Sequence, residues 1–259
     1  MKKRIISAAC IILSVGLVIM SAFLINDYLK VKEYKNLPLS LPRDFTVTAH
    51  TGCEGTEENS LNFLEKALSL DVEIIEFDVS FDENENPVLA HDTPKGGEVE
   101  LSQAFDLISK HPNVRVNVDI KETTALDKIE KCAVEYGVLD QIFFTGVKDE
   151  FLDAVKEQTE NVEYYLNVNV NKRKAKNSDY LREICDKVKQ SGAIGINFKY
   201  TGATRELVEY FHNEGLLVSI WTVDKEKAMH EILSLSPDNI TTRNPVKLRE
   251  IINGRTNIS

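Results

Sequence analysis

Two histidines and several carboxylates crowd into the stretch between Ala49 and Asp92. His50 opens H-T-G, Glu58 lies in E-N-S, Glu76 and Asp78 form E-F-D, and His91 opens H-D. An imidazole titrates near neutrality, so one ring can take a proton from an attacking oxygen while a second returns one to a leaving alcohol. Glu76 and Asp78 are two residues apart, as are Asp119 and Lys121 in N-V-D-I-K, and such pairs share one face of a strand. Glu76, Asp78 and Asp119 brought together from neighbouring strands would repel one another unless a cation sat among them. All-oxygen ligands suit one hard divalent ion, Mg2+ or Ca2+, better than zinc. The competing reading gives each acid a lysine partner or solvent; it loses ground because E-x-D and D-x-K both close apolar runs. His111, His212 and His230 fall on or beside helical patterns and are read as structural.

The elements that must position these residues alternate regularly. β-branched and aromatic runs occur at residues 45–49, 74–80, 114–120, 141–145, 162–168, 193–198, 216–223 and 239–242. Helical patterns occupy residues 61–70, 101–110, 125–136, 150–159, 179–191, 204–214, 225–233 and 246–252. Eight of each in strict alternation predict an α/β fold, a (β/α)8 TIM barrel. A doubly wound sheet would need a glycine-rich phosphate loop after its first strand, and none is visible. The one long interruption, residues 81–98, reads as a turn and a short returning strand that carries His91 back over the barrel mouth. At the C-terminal strand ends, where such barrels hold their active sites, stand His50, Glu76, Asp78, Asp119 and Lys121.

Ahead of the barrel, residues 5–25 are uncharged and apolar or small, and Lys2, Lys3 and Arg4 precede them. At a helical rise this run spans roughly 31 Å, about the hydrocarbon thickness of a bilayer. Small residues suited to a cleavage site are followed by Phe23, Leu24 and Ile25. The expectation is therefore an uncleaved single-pass transmembrane helix in the cell membrane with the barrel outside the cytoplasm; a cleaved, secreted form is the runner-up. The resulting division is 1–26 as anchor, 27–43 as an extended tether, and 44–259 as barrel. The net charge of −10 argues against a dedicated nucleic-acid binder, which would present a basic face, and leaves room for a local cationic pocket that binds one phosphate. Cys53, Cys132 and Cys185 are an odd set in the globular part and build no disulfide framework.

In order along the chain, His50-Thr51-Gly52, Glu57-Glu58-Asn59-Ser60, Glu76-Phe77-Asp78, His91-Asp92, Asp119-Ile120-Lys121 and Trp221-Thr222-Val223-Asp224 resemble the signatures of the glycerophosphodiester phosphodiesterases. In that metal-dependent barrel family they read H-R-G, P-E-N-T, E-x-D, H-D, an acid two before a lysine, and W-T-V-N. The likeness runs from about Asp44 to Lys247. It implies that His50 and His91 form an acid–base pair, and that Glu76, Asp78 and Asp119 hold the cation. By the same likeness Lys121 neutralises a phosphate oxygen, Trp221 lines the glycerol side, and Glu58 reaches the metal or its water. Asn59 and Ser60 are expected to cap the helix beginning at Leu61.

The likeness places Thr51 among the phosphate- or substrate-binding residues, but it departs from the family, which has arginine there; one hydroxyl cannot replace a planar two-pronged grip on phosphate. Lys121 and Lys199 are candidate substitutes, or substrate choice has changed. The implied substrate is a glycerophosphodiester or lysolipid head group, cleaved to an alcohol and glycerol 3-phosphate. Either a neighbouring glycerol hydroxyl attacks first, giving a cyclic phosphate that water opens, or water attacks directly. A phospholipase-D-like or sphingomyelinase-like enzyme that stops at a cyclic phosphate is one alternative. A catalytically inactive, membrane-tethered binding module is the other.

Overall fold

The computed structural model describes residues 16, 18–22, 24–26, 28–35 and 39–256. Eight parallel strands close into a barrel: β1 (Thr46–Ala49), β2 (Ile74–Phe81), β4 (Arg115–Ile120), β5 (Ile142–Val147), β6 (Tyr164–Asn167), β7 (Gly195–Lys199), β8 (Leu217–Trp221) and β9 (Asn239–Thr242). They pair in that order, and β1 meets both β2 and β9, which removes any open edge among the eight. The ninth strand, β3 (Pro87–Leu89), folds back antiparallel on β2, with Val79 opposite Leu89. Its turn is tied by Asp82, whose carboxylate accepts from the backbone N–H groups of Asn84 and Asn86. The hairpin expected before His91 is therefore present.

The helices α1 (Leu61–Leu68), α2 (Leu101–Ile108), α3 (Leu126–Glu135), α4 (Leu152–Gln158), α5 (Ser178–Ser191), α6 (Arg205–Asn213), α7 (Glu226–Leu233) and α8 (Pro245–Thr256) surround the barrel. Several begin at side chains that satisfy otherwise orphaned N–H groups: Ser60 accepts from Phe63, Asn177 from Tyr180 and Thr204 from Leu207. Phe63, Phe105, Phe198 and Phe211 are fully buried in the core. Burying such side chains is worth roughly 1.5–3 kcal/mol each.

The inside of the barrel is more polar than alternating apolar runs suggest. Thr48 and Thr46 both donate to the Asn239 amide oxygen, and Asn239 donates to Ser219 and Thr241. Higher up, Thr145 bonds Asn117, and Asn197 bonds Asn167. Each of these groups finds its partner on a neighbouring inward-facing position, as burial demands.

The apolar run at residues 5–25 falls for the most part outside the described residues. Among the described residues no helix is long and apolar enough to cross a membrane. Residues 28–35, expected to be extended tether, are helical. Tyr, Leu, Lys, Val and Glu at 28–35 include no helix breaker, and the first proline of the region is Pro38.

Candidate active site

The cavity at the C-terminal ends of the strands has a volume of about 740 Å3, within the range of small-molecule sites. His50, Glu58, Glu76, Asp78, His91, Asp119, Lys121 and Trp221 all line it. Each strand delivers its residues by register. Asp78 on β2 lies opposite Asp119 on β4, and Asp119 lies opposite Thr145 on β5. Glu76 sits one inward position below Asp78.

Glu76, Asp78 and Asp119 each offer an oxygen, and the three lie within 4.8 Å of one another. Glu76 and Asp78 are 4% and 2% exposed, so little solvent screens their charges. Burial drives the Glu76 carboxyl well above its usual range, and the charges of Asp78 and Asp119 push the same way. Lys121 bridges the pair above: its Nζ lies 2.6 Å from Asp78 Oδ1 and also bonds Asp119. Burial works to lower the Lys121 pKa, but the two carboxylates raise it. An ammonium so placed shows that this cluster attracts and satisfies positive charge. Three close, hard oxygen donors also fit a divalent cation of the Mg2+ or Ca2+ type.

The two imidazoles flank the cluster. His50 Nδ1 lies 2.9 Å from the Thr51 carbonyl oxygen, which can only accept, so Nδ1 carries the proton and Nε2 keeps its lone pair. The same Nδ1 is 3.7 Å from Glu76 Oε2. Burial lowers the His50 pKa, the Thr51 carbonyl opposes this, and the Arg243 guanidinium adds to the lowering. His91 follows β3, where the Ala90 N–H donates to the Asp78 carbonyl at 3.1 Å. Its Nδ1 lies 2.9 Å from Asp92 Oδ1, and the ring is largely exposed.

Thr51 does not line the cavity. It is 1% exposed, its backbone N–H donates to Glu76 Oε2 at 3.1 Å, and its hydroxyl bonds Asn59. Asn59 in turn bonds both the backbone N–H and the carboxylate of Asp78, at 3.0 and 2.9 Å. Ser60 caps α1, as expected; Asn59 does not, and instead joins β1 to the acidic cluster. Cys53 is buried away from the cavity, its thiol pushed up to about 11 by burial.

Glu58 lies on the cavity wall with Arg243, which donates to it at 2.8 Å. The sequence reading gave no role to Arg243, Lys148, Asn167 or Asn197, all of which also line the cavity. Lys199, named there as a candidate cation, lines it too. The Trp221 indole N–H is buried in the wall without a hydrogen-bond partner among the described residues.

Three carboxylates, a lysine and two imidazoles gathered at the strand ends are the parts of a barrel hydrolase that handles a phosphoryl group. Residues 98–247 match the glycerophosphoryl diester phosphodiesterase family, more than half of the chain. The chain belongs to that family and is a phosphoric diester hydrolase. A relative in Mycobacterium tuberculosis, the "Probable glycerophosphodiester phosphodiesterase 2", is 26% identical over 230 residues, covering 76% of this chain and 86% of that protein. A Silicibacter pomeroyi protein named as a glycerophosphoryl diester phosphodiesterase superposes with a TM-score of 0.69 at 16% identity, covering 86% of this chain and 97% of the other. An Oleispira antarctica phosphodiesterase, solved in complex with the product sn-glycerol-3-phosphate, gives 0.64 at 18% identity, covering 82% and 97%. At these identities the likeness of the solved structures concerns the fold: an eight-stranded parallel barrel of TIM type.

Proposed function

We propose that this chain hydrolyses glycerophosphodiesters to an alcohol and glycerol 3-phosphate, using one divalent cation held by Glu76, Asp78 and Asp119. The observation that carries the reading is the closeness of those three carboxylates, oxygens within 4.8 Å, with His50 and His91 beside them in one cavity. The product class is taken from the Oleispira antarctica relative, whose complex holds sn-glycerol-3-phosphate. The cation, when bound, would neutralise charge on the phosphoryl oxygens as the transition state forms.

The chain's own groups account for the proton movements. His50 Nε2 accepts the proton of the attacking oxygen, either a glycerol hydroxyl or water, while its Nδ1–H stays on the Thr51 carbonyl. As the new P–O bond forms, the bond to the leaving alcohol breaks, and His91 donates a proton to the departing oxygen; where the glycerol hydroxyl has attacked, water then adds to the cyclic phosphate and the ring P–O bond breaks to leave glycerol 3-phosphate. The Asp92 carboxylate, 2.9 Å from His91 Nδ1, orients the ring for that donation. Lys121 has three N–H donors, of which Asp78 and Asp119 engage two, leaving one for a phosphate oxygen. Trp221 contributes an N–H and an apolar face to the glycerol or alcohol side.

The site is set at a membrane in this reading. Residues 5–25 anchor the chain in the bilayer and the barrel lies outside the cytoplasm; the length of the apolar run and the basic residues before it support this. The described apolar residues 18–20, 24 and 25 are exposed rather than packed on the barrel, which agrees with a lipid-facing role. Lysolipid head groups are then accessible substrates alongside soluble diesters.

The test is release of glycerol 3-phosphate and choline from glycerophosphocholine, and of acylglycerol 3-phosphate and choline from lysophosphatidylcholine, by the full chain in detergent micelles, with Mg2+, with Ca2+ and with chelator. Turnover should require a divalent ion and fall by about 100-fold or more in His50→Ala. Glu76→Ala should lower it through loss of the ion. A cyclic phosphate as final product would move the assignment to the phospholipase-D-like reading. Ligand binding without turnover, unaffected by His50→Ala and His91→Ala, would establish a binding module instead.

A further inference from the structure

Arg243 stands beside the reacting groups because of how the barrel closes. It follows Thr242, the last residue of β9, whose register partner on β1 is Ala49. The His50 backbone N–H donates to the Thr242 carbonyl at 2.9 Å, so His50 and Arg243 leave adjacent strands side by side. Both line the cavity.

The guanidinium is held from two directions. Its Nη2 donates to Glu58 Oε1 at 2.8 Å, and its Nη1 lies 3.5 Å from Asp224 Oδ2. The other Asp224 oxygen accepts the Arg243 backbone N–H at 2.7 Å, and the Asp224 carbonyl accepts from the Asn244 amide at 3.2 Å. Those contacts fix the plane of the group while engaging two of its five N–H donors.

The other cations of the cavity are placed differently. Lys121 already bonds both Asp78 and Asp119. The Lys148 ammonium lies over the Phe151 ring, 5.1 Å from its centroid. Lys199 ends β7, with β8 and β9 between it and β1. Thr51 is buried with its hydroxyl on Asn59. A diester at the carboxylate cluster arrives negatively charged, and that charge shifts onto its non-bridging oxygens in the transition state. On the His50 side of the cluster, the group built to receive it is a planar fork directly after the last strand.

We propose that Arg243 is the phosphate-gripping cation of this site, binding a non-bridging oxygen on the His50 side, with Glu58 and Asp224 as positioning residues for its guanidinium. The proposal rests on the phosphodiesterase reading above. The bland alternative is that Arg243 only pins the β9 loop to Glu58.

The experiment compares the full chain with Arg243→Gln, Arg243→Lys and Asp224→Asn. It reads kcat and KM on glycerophosphocholine, binding of glycerol 3-phosphate by calorimetric titration, and the melting midpoint. Arg243→Gln should weaken glycerol 3-phosphate binding and raise KM by tenfold or more. Arg243→Lys should recover only part of this, because a point charge cannot reproduce the fork, and added guanidinium ion should partly rescue Arg243→Gln. Asp224→Asn should produce a smaller rise in KM. If Arg243→Gln melts like the parent and keeps its KM and affinity, the proposal is overturned. Should Arg243→Gln fail to fold, Arg243→Lys with parental KM and affinity overturns it equally. A parent chain that binds glycerol 3-phosphate through Arg243 but turns over no diester would sink the hydrolase reading and leave the Arg243 grip standing.

Discussion

The Trp221 indole N–H is a donor built into the cavity wall with no hydrogen-bond partner among the described residues. A buried donor without a partner is costly, so a substrate oxygen that meets it recovers that cost on binding. Trp221→Phe keeps the apolar face and removes the donor; kcat/KM for glycerophosphodiesters should fall about three- to tenfold, the worth of one hydrogen bond. An unchanged kcat/KM would leave Trp221 as packing alone. The residues brought into the cavity by their type and period-two spacing were legible in the sequence: Glu76 with Asp78, Asp119 with Lys121, and the histidines at the ends of apolar runs. Arg243 was not. In T-R-N-P it reads as an ordinary turn residue, and only the pairing of β9 with β1 sets it beside His50. Thr51 looked like a substrate-facing residue from its place after His50. Its burial against Asn59 depends on Asn59 adopting a left-handed backbone (φ 55°), which no sequence pattern announces.

At the level of elements, β5 meets β6 through an irregularity: the register shifts between Phe144 and Val147, with Gly146 at φ 75° between them. The Gly146 N–H donates to Asn167 at 3.1 Å. A Cβ there would lie 2.3 Å from the Ile120 carbonyl oxygen and 3.0 Å from Asp119 Oδ1. Gly146→Ala therefore strains its own backbone by about 1–3 kcal/mol and drives into the strand that carries Asp119. A drop in melting midpoint of roughly 5 °C or more is expected, together with weaker divalent-ion binding measured by titration. A variant that melts and binds ions like the parent would mean that β4 yields without effect. The eight strands were recoverable from β-branched runs. The β6 run at residues 162–168 shortens to Tyr164–Asn167. The helix at residues 28–35 lies upstream of Pro38 and Pro42, and a proline favours extended backbone only at the residue directly before it.

For the molecule as a whole, α7 and α8 enclose a group that links stability to pH. His230 on α7 is 2% exposed, and burial lowers its pKa to about 4, helped by the Lys35 and Arg255 cations and opposed by Glu226. Lys247 and Glu250 border the same hollow. The folded value lies below the unfolded value of about 6.5, so between these the unfolded chain binds more protons. His230 thus costs nothing above pH 6.5, and its penalty grows as pH falls toward 4, reaching on the order of 3 kcal/mol. Other carboxylates titrate in that window, so the informative quantity is the difference between parent and His230→Gln. Denaturant melts from pH 7.5 to 4 should show the parent losing ground to the variant as pH falls; parallel curves would refute the assignment.

Lys121, bonded to two of the three carboxylates, has a bearing on the protein's assembly. A barrel whose acidic cluster carries its own counter-ion does not need a metal to finish folding, since Asp78 and Asp119 are already compensated from within. With a cation at the proposed site, folding and loading would then be separate events, the ion joining an architecture already complete. A cation at the proposed site would share Asp78 and Asp119 with the Lys121 ammonium, so the affinity for it would be set partly by the chain's own positive charge.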